Sequence, residues 1–164
     1  MELTRNGITI VVDEAAILSI IADRLSGRRY AFVTPSNETP RIGQPWPGQG
    51  GIYAGVMRGR NGGADYHLIV GPEIEETTWE KAKAKAAEIS QDGYSDFSLP
   101  FRAEQALQLA NVPELFKKEW YWSSEQHAED ADYAWYQDFG NGFQNDFHKD
   151  DEFRARAVRR LVIQ

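Results

Sequence analysis

Apolar positions along this chain change period several times, and each change marks an expected element. Residues 7–12 (GITIVV) form a short β-branched run that reads as a strand. Asp13 then opens DEAAILSIIADRLSG, an acidic cap ahead of Ile17, Leu18, Ile20, Ile21 and Leu25 on one helical face, with Gly27 as the stop. Arg29–Val33 reads as a second strand. Residues 1–34 thus make a strand–helix–strand element too small to be stable alone. Its apolar helix face is expected to pack on the rest of the chain or on another copy of it.

Residues 35–51 (PSNETPRIGQPWPGQGG) hold four of the seven prolines and read as an irregular linker and domain boundary, with the main domain at 52–164. Ile52–Met57 and Tyr66–Val70 form an expected hairpin around the Asn61-Gly62-Gly63 turn. Residues 75–90 predict a helix capped by Thr77 or Thr78, with Trp79, Ala82, Ala86 and Ile89 at helical spacing and Gly93 at its end. After Leu99-Pro100, residues 101–116 predict a second helix that ends or breaks at Pro113. Short strands follow at YWSS, YAWYQDF and ARAVRRLVI. Two helices and then antiparallel strands imply an α+β fold, not a wound α/β sheet.

Composition narrows the picture. The 164 residues include no cysteine, which removes disulfides and Cys-ligated zinc or iron–sulfur sites. No apolar run approaches the roughly 20 residues of a membrane span. With no secretion-type leader at MELTRNGITIVVDE, cytoplasmic synthesis is expected, with virion association compatible. The formal charge of −7 disfavours general binding to nucleic-acid backbones. The charge is uneven: acids crowd residues 125–152, while Arg154, Arg156, Arg159 and Arg160 follow, and these arginines are expected to fold back on the acidic loops.

Aromatic residues (12% of the chain) gather in the last third. From Trp120 onward, Trp120, Tyr121, Trp122, Tyr133, Trp135, Tyr136, Phe139, Phe143 and Phe147 alternate with Asp, Glu, Asn, Gln and His. A rigid aromatic frame with varied polar side chains suits recognition better than catalysis. Trp79, Trp122 and Trp135 are expected in the core, and Tyr133, Tyr136 and Phe143 divide evenly between core and contact roles.

Read in order, several pieces form one pattern: Trp79-x-x-Ala82, Leu99-Pro100 before a helix carrying Glu104, and Trp122-Ser123-Ser124. An aromatic strand with Asn141-Gly142 and a closing Arg156-x-Val158-Arg159 strand complete it. The pattern resembles a bacterial and phage domain family of unknown function with a C-type-lectin-like fold, over roughly residues 48–162. The chain departs from it at Phe97-Ser98, where the family usually carries Trp-Arg before Leu-Pro. Related folds include retroelement-diversified variable proteins of phages and formylglycine-generating enzymes. The second chemistry depends on active-site cysteines, which this chain lacks.

Residues 124–154 are similar to the variable region of the diversified proteins. The resemblance makes Trp122, Ser123, Trp135, Phe139, Gly142, Arg154, Arg156 and Arg159 scaffold. It makes Glu125, His127, Asp130, Asp132, Tyr133, Tyr136, Asp138, Asn141, Phe143, Asn145, Asp146, Phe147 and His148 the ligand-facing positions. A homotrimer displayed on a virion would fit such a role.

Competing chemistry finds little support in the sequence. The aspartates match no calcium loop and no sugar-calcium triplet, and His127 and His148 have no zinc spacing, so no metal and no cofactor is expected. Ser123 and Ser124 lack a nucleophile elbow, and RGRNGG (58–63) lacks the Lys-Ser/Thr and helix of a phosphate loop. The leading expectation is a non-enzymatic domain that binds a protein or glycan, a host receptor among the options. The alternative is a small acidic intracellular inhibitor that mimics a nucleic-acid backbone on a basic groove of a host protein complex.

Overall fold

Tyr66–Thr77 (β5) carries the apolar, β-branched run Leu68–Val70 before a stretch with Glu73, Glu75 and Glu76, and Phe153–Val162 (β9) interleaves apolar residues with four arginines. These two strands pair antiparallel at the centre of the sheet, from Tyr66 opposite Val162 to Thr77 opposite Phe153. The computed structural model describes residues 2–5, 8–11 and 38–163. Pro45–Trp46 (β3), Gly51–Met57 (β4), Trp120–Gln126 (β6), Tyr133–Asp138 (β7) and Gln144–His148 (β8) complete a seven-stranded sheet ordered β3-β4-β5-β9-β6-β7-β8. All neighbours are antiparallel except β6 and β9, which meet in parallel with Tyr121 opposite Arg154. With helices Trp79–Ala87 (α1) and Arg102–Asn111 (α2), the domain is α+β.

Chain contacts divide the molecule into compact units Met1–Thr34 and Pro35–Gln164. Within the first, Glu2–Arg5 (β1) pairs antiparallel with Ile8–Val11 (β2). The single strand expected at 7–12 therefore has a partner the sequence reading did not assign. The helix expected from Asp13 and the strand at Arg29–Val33 lie outside the described residues.

Three local expectations change. Part of the Pro/Gly-rich segment is regular structure: β3 pairs with β4, and Trp46 is buried against Tyr53 and Ile69. Pro45 is tolerated because β3 is an edge strand. The first helix starts at Trp79 with Thr78, one of the two expected caps, at its N-cap position. The residues before it do not belong to the helix, because Glu75–Thr77 continues β5 and pairs with β9. Finally, Gln144–His148 is a strand where only a polar loop was expected; its register with β7 outweighs the weak strand preference of Gln, Asn and Asp.

Because side chains alternate along a strand, β9 sorts its residues between two layers. Val158 joins Ala54, Tyr66, Leu68, Val70 and Val112 on the face with Leu107 of α2. Ala155 and Ala157 join Ile74, Trp79, Ala82, Ala86, Trp122 and Tyr136 on the face with α1. Gly71 lets the sheet approach Phe97 closely: a Cβ there would lie 2.7 Å from the ring. Phe97 thus fills a core place at the Phe97-Ser98 departure.

The arginines of β9 do fold back, but not on the acidic loops of 125–152. Arg154 binds Glu119 and Glu75, Arg159 binds Asp96 and Arg160 binds Glu104, while Arg156 lies 3.9 Å from Glu73. Their partners come from β5, α2 and connecting segments, the neighbours that the central position of β9 provides.

Candidate functional site

Strands β6, β7 and β8 form a three-stranded lobe, and its register decides which side chains meet. Trp120 is opposite Asp138, Trp122 opposite Tyr136, and Tyr136 in turn opposite Asn145, while Ala134 faces Phe147. Trp120, Trp122, Tyr136, Asn145 and Phe147 therefore share one face. Tyr133, Trp135, Asp146 and His148 share the other. The sequence-derived candidates, taken together as one contact face, are divided by the pleat.

Several of them build turns. Asp138 Oδ1 accepts from the Gly140 N–H (2.7 Å), its Oδ2 accepts from Asn141 Nδ2 (3.0 Å), and Asn141 Oδ1 accepts from the Phe143 N–H (2.8 Å). His127 Nδ1 accepts from the N–H groups of Glu129 (3.3 Å) and Asp130 (3.2 Å), and Asp130 Oδ1 from that of Asp132 (3.0 Å). His148 Nδ1 accepts from the Asp150 N–H at 3.3 Å. Short polar side chains commonly close turns in this way. Glu125 accepts a 2.9 Å bond from Arg60. Asp132 is exposed at a loop tip, and Tyr133 meets His148 edge-on. Tyr136 is buried at 5% exposure, which overturns its expected contact role. Its hydroxyl pKa is raised by burial, with Asp138 and Asp146 adding to the effect.

Trp79 and Trp122 are buried as expected, donating to the carbonyls of Ser123 (2.7 Å) and Thr77 (3.0 Å). Trp135 is only half-buried, covered by Arg102 at 3.5 Å and by the His127 ring.

What the first face offers is an aromatic cluster with an open end. Trp120 stacks on Tyr136 at 4.9 Å and meets Phe153 edge-on at 5.1 Å, while Trp122 stacks on Phe153 at 4.4 Å. Phe147 lies 5.6 Å from Phe153 and 6.1 Å from Trp120. Such pairs each contribute about 0.5–1.5 kcal/mol beyond area burial, so the inner rings hold the outer ones in place. Trp120 and Phe147 remain 40% and 39% exposed, beside the exposed Asn145.

A hollow of about 320 Å³ opens next to Trp120, where β5 ends and β6 and β9 begin, lined by Glu76, Lys118, Glu119, Trp120, Glu152, Phe153 and Arg154. Arg154 is fixed by hydrogen bonds to Glu119 and to Glu75 (2.7 Å), which raise its pKa. The same pairing lowers the pKa of Glu75. Arg154 falls among the scaffold positions of the sequence pattern, and Trp120 lies outside its ligand-facing set. The Trp-x-Trp spacing of Trp120 and Trp122 signalled a shared strand face, but not which ring lies at its open end.

A second depression, about 550 Å³, is lined by Gly59, Arg60, Asn61, Ala64, Tyr66 and Phe101. Its charged groups are satisfied within the chain: Arg60 binds Glu125 and lies over Phe101, which Arg160 also covers. Among the described residues no cluster of three or more metal-ligating side chains occurs, and no helix is long and apolar enough to cross a membrane. No family model and no curated protein matches the chain.

Proposed function

We propose that this is a non-enzymatic binding domain of C-type-lectin-like type, whose contact face is the open end of the aromatic cluster: Trp120, Phe147 and Asn145, with the hollow beside them. The observation that carries the reading is the partial exposure of Trp120 and Phe147 on a base of buried rings. Preorganised aromatic surface gives contact area at little cost in side-chain entropy. Support for the fold resemblance comes from its motif residues, which converge: Trp79 donates to the Ser123 carbonyl and the Ser124 N–H to the Pro100 carbonyl.

The ligand class is a protein or glycan, and display as a phage or prophage trimer against a host receptor is the setting the resemblance suggests. The alternative, an acidic mimic of nucleic acid, needs a row of free carboxylates. The β9 arginines take up Glu75, Glu119, Asp96 and Glu104 but leave the 125–152 loops acidic. What favours the binding-domain reading is the partial exposure of Trp120 and Phe147, which such a mimic does not need.

The test is an NMR titration of the full chain with separate libraries of oligosaccharides and short peptides. Shifts are expected to cluster on the Trp120 indole, Asn145 and Phe147. Binders that perturb only the Tyr133–Asp146 face, or neither face, overturn the assignment. Light scattering on the same sample tests the trimer.

A further inference from the structure

The hollow beside Trp120 carries an excess of negative charge. Glu76, Glu119 and Glu152 line it against two cations, Lys118 and Arg154, a surplus of one acid, while Glu75 lies behind Arg154 with Lys117 acting on it. Arg154 is held by Glu119 and Glu75 and has Glu76 at 3.7 Å, so its charge is already spent on the chain's own acids. An anionic ligand would find no free guanidinium there.

The tryptophans supply a separate observation. Trp79 has Lys83 at 4.0 Å and Lys149 at 4.4 Å over its ring, and Trp135 has Arg102 at 3.5 Å. Trp46 packs edge-on against His67, and Trp122 is fully buried. Trp120 is the most exposed of the five, and among the described residues no lysine or arginine covers it. An exposed indole beside a surplus carboxylate attracts a cation through both the ring quadrupole and the local field.

We infer that the hollow receives a lysine or arginine side chain from a basic segment of a partner protein. The inference rests on the reading of the Trp120 face as the binding site. The aliphatic stem lies along Trp120 and Phe153, and the cationic head reaches Glu76 and Glu152, since Glu119 is held by Arg154. At about 320 Å³ the hollow sits at the small end of ligand sites, which run from about 300 to 1,000 Å³, and suits one side chain. A neutral sugar could stack on Trp120, but it would leave the surplus charge without a partner.

The test uses the full chain and fluorescence anisotropy with three labelled probes: a peptide alternating lysine and glycine, the same peptide with norleucine in place of each lysine, and maltohexaose. The lysine peptide is expected to bind at least tenfold more tightly, and added salt should weaken it. Trp120→Ala should lower its affinity about tenfold or more. Since that change also removes packing, Glu76→Gln with Glu152→Gln at exposed positions provides a second variant, expected to weaken binding several-fold. A control pair, Glu88→Gln with Glu114→Gln, removes the same charge elsewhere and should have little effect. Equal loss in the control pair, or no binding of the lysine peptide, overturns the inference. If both peptides bind alike and Trp120→Ala abolishes both, or if only maltohexaose binds in a Trp120-dependent way, the cation inference falls while the binding face stands. If Trp120→Ala alters binding of none of the three probes, the binding face falls as well.

Discussion

Glu104 has no exposed surface, and its two carboxylate oxygens each lie 2.7 Å from a guanidinium nitrogen of Arg160. The same carboxylate accepts from the Tyr66 hydroxyl and from the Phe101 N–H at the start of α2, both at 2.7 Å. One acid thus ties the helix to β5 and β9. Removing it strands the Arg160 charge, and Glu104→Ala is expected to cost about 3–5 kcal/mol. A urea denaturation curve with a lowered midpoint and an unchanged slope would show this; a loss under about 1 kcal/mol would mean the pair is marginal.

Alkaline pH should loosen the same knot. Burial, together with Glu104, pushes the Tyr66 hydroxyl up to about 12 from 10.0. The folded state thus keeps this proton where the unfolded state loses it. The stabilisation is complete below about pH 10 and is lost as pH rises toward about 12. Tyr121, also raised by burial and by Glu73, acts in the same direction. Tyr66→Phe should therefore flatten, without abolishing, the fall of unfolding free energy with pH. An unchanged slope would exclude Tyr66 as a contributor.

Trp120 and Trp122 are two residues apart on one strand and are expected to respond differently. Trp122 is fully buried and donates to Thr77, so Trp122→Ala should cost about 3–5 kcal/mol. Trp120→Ala, at a half-open site, should cost about 1–2 kcal/mol. Thermal melts of both variants check the contrast, and similar losses would contradict the open end of the cluster.

Gly142 has φ +83°, and a Cβ there would lie 2.9 Å from Leu109 Cδ2. Gly142→Ala should destabilise by about 1–2 kcal/mol through backbone strain and crowding. Asp138→Ala, which removes acceptors from the same turn, should cost about 1 kcal/mol. Asp138 Oδ2 also accepts from the Trp120 indole N–H at 3.3 Å, so unchanged stability with lost ligand binding would mean that the carboxylate orients Trp120 more than it holds the turn.

Gln108 is fully buried, and among the described residues neither end of its amide finds a partner. Gln108→Leu should be neutral or stabilising by about 1 kcal/mol, because a buried unsatisfied amide is costly. Differential scanning calorimetry checks it; a marked loss would reveal an interaction of the amide.

Period and turn chemistry made much of this architecture legible: the β4–β5 hairpin, both helices of the main domain and the strands carrying Trp122 and Trp135 follow from local pattern. The strand at Gln144–His148 did not, since its residues are poor strand formers recruited by the edge of β7. The site was legible only as a region. Listing polar residues from Glu125 to His148 could not separate Asp138, Asn141 and His127, which close turns, from Phe147 and Asn145, which face outward. Nor could it find Glu76 or Glu119, which join the site through pairings between residues far apart in sequence.

The central pairing of β5 with β9 also constrains how this protein is made. Tyr66 finds its partner only when Val162 has been synthesised. A nascent chain exposes one side of β5 until then, and the whole β6–β8 lobe emerges in between. Long-range pairing of this kind slows folding and leaves an open strand edge in the waiting state. A ribosome stalled just short of residue 153 would therefore carry an aggregation-prone chain, although every residue of the aromatic cluster except Phe153 would already be present.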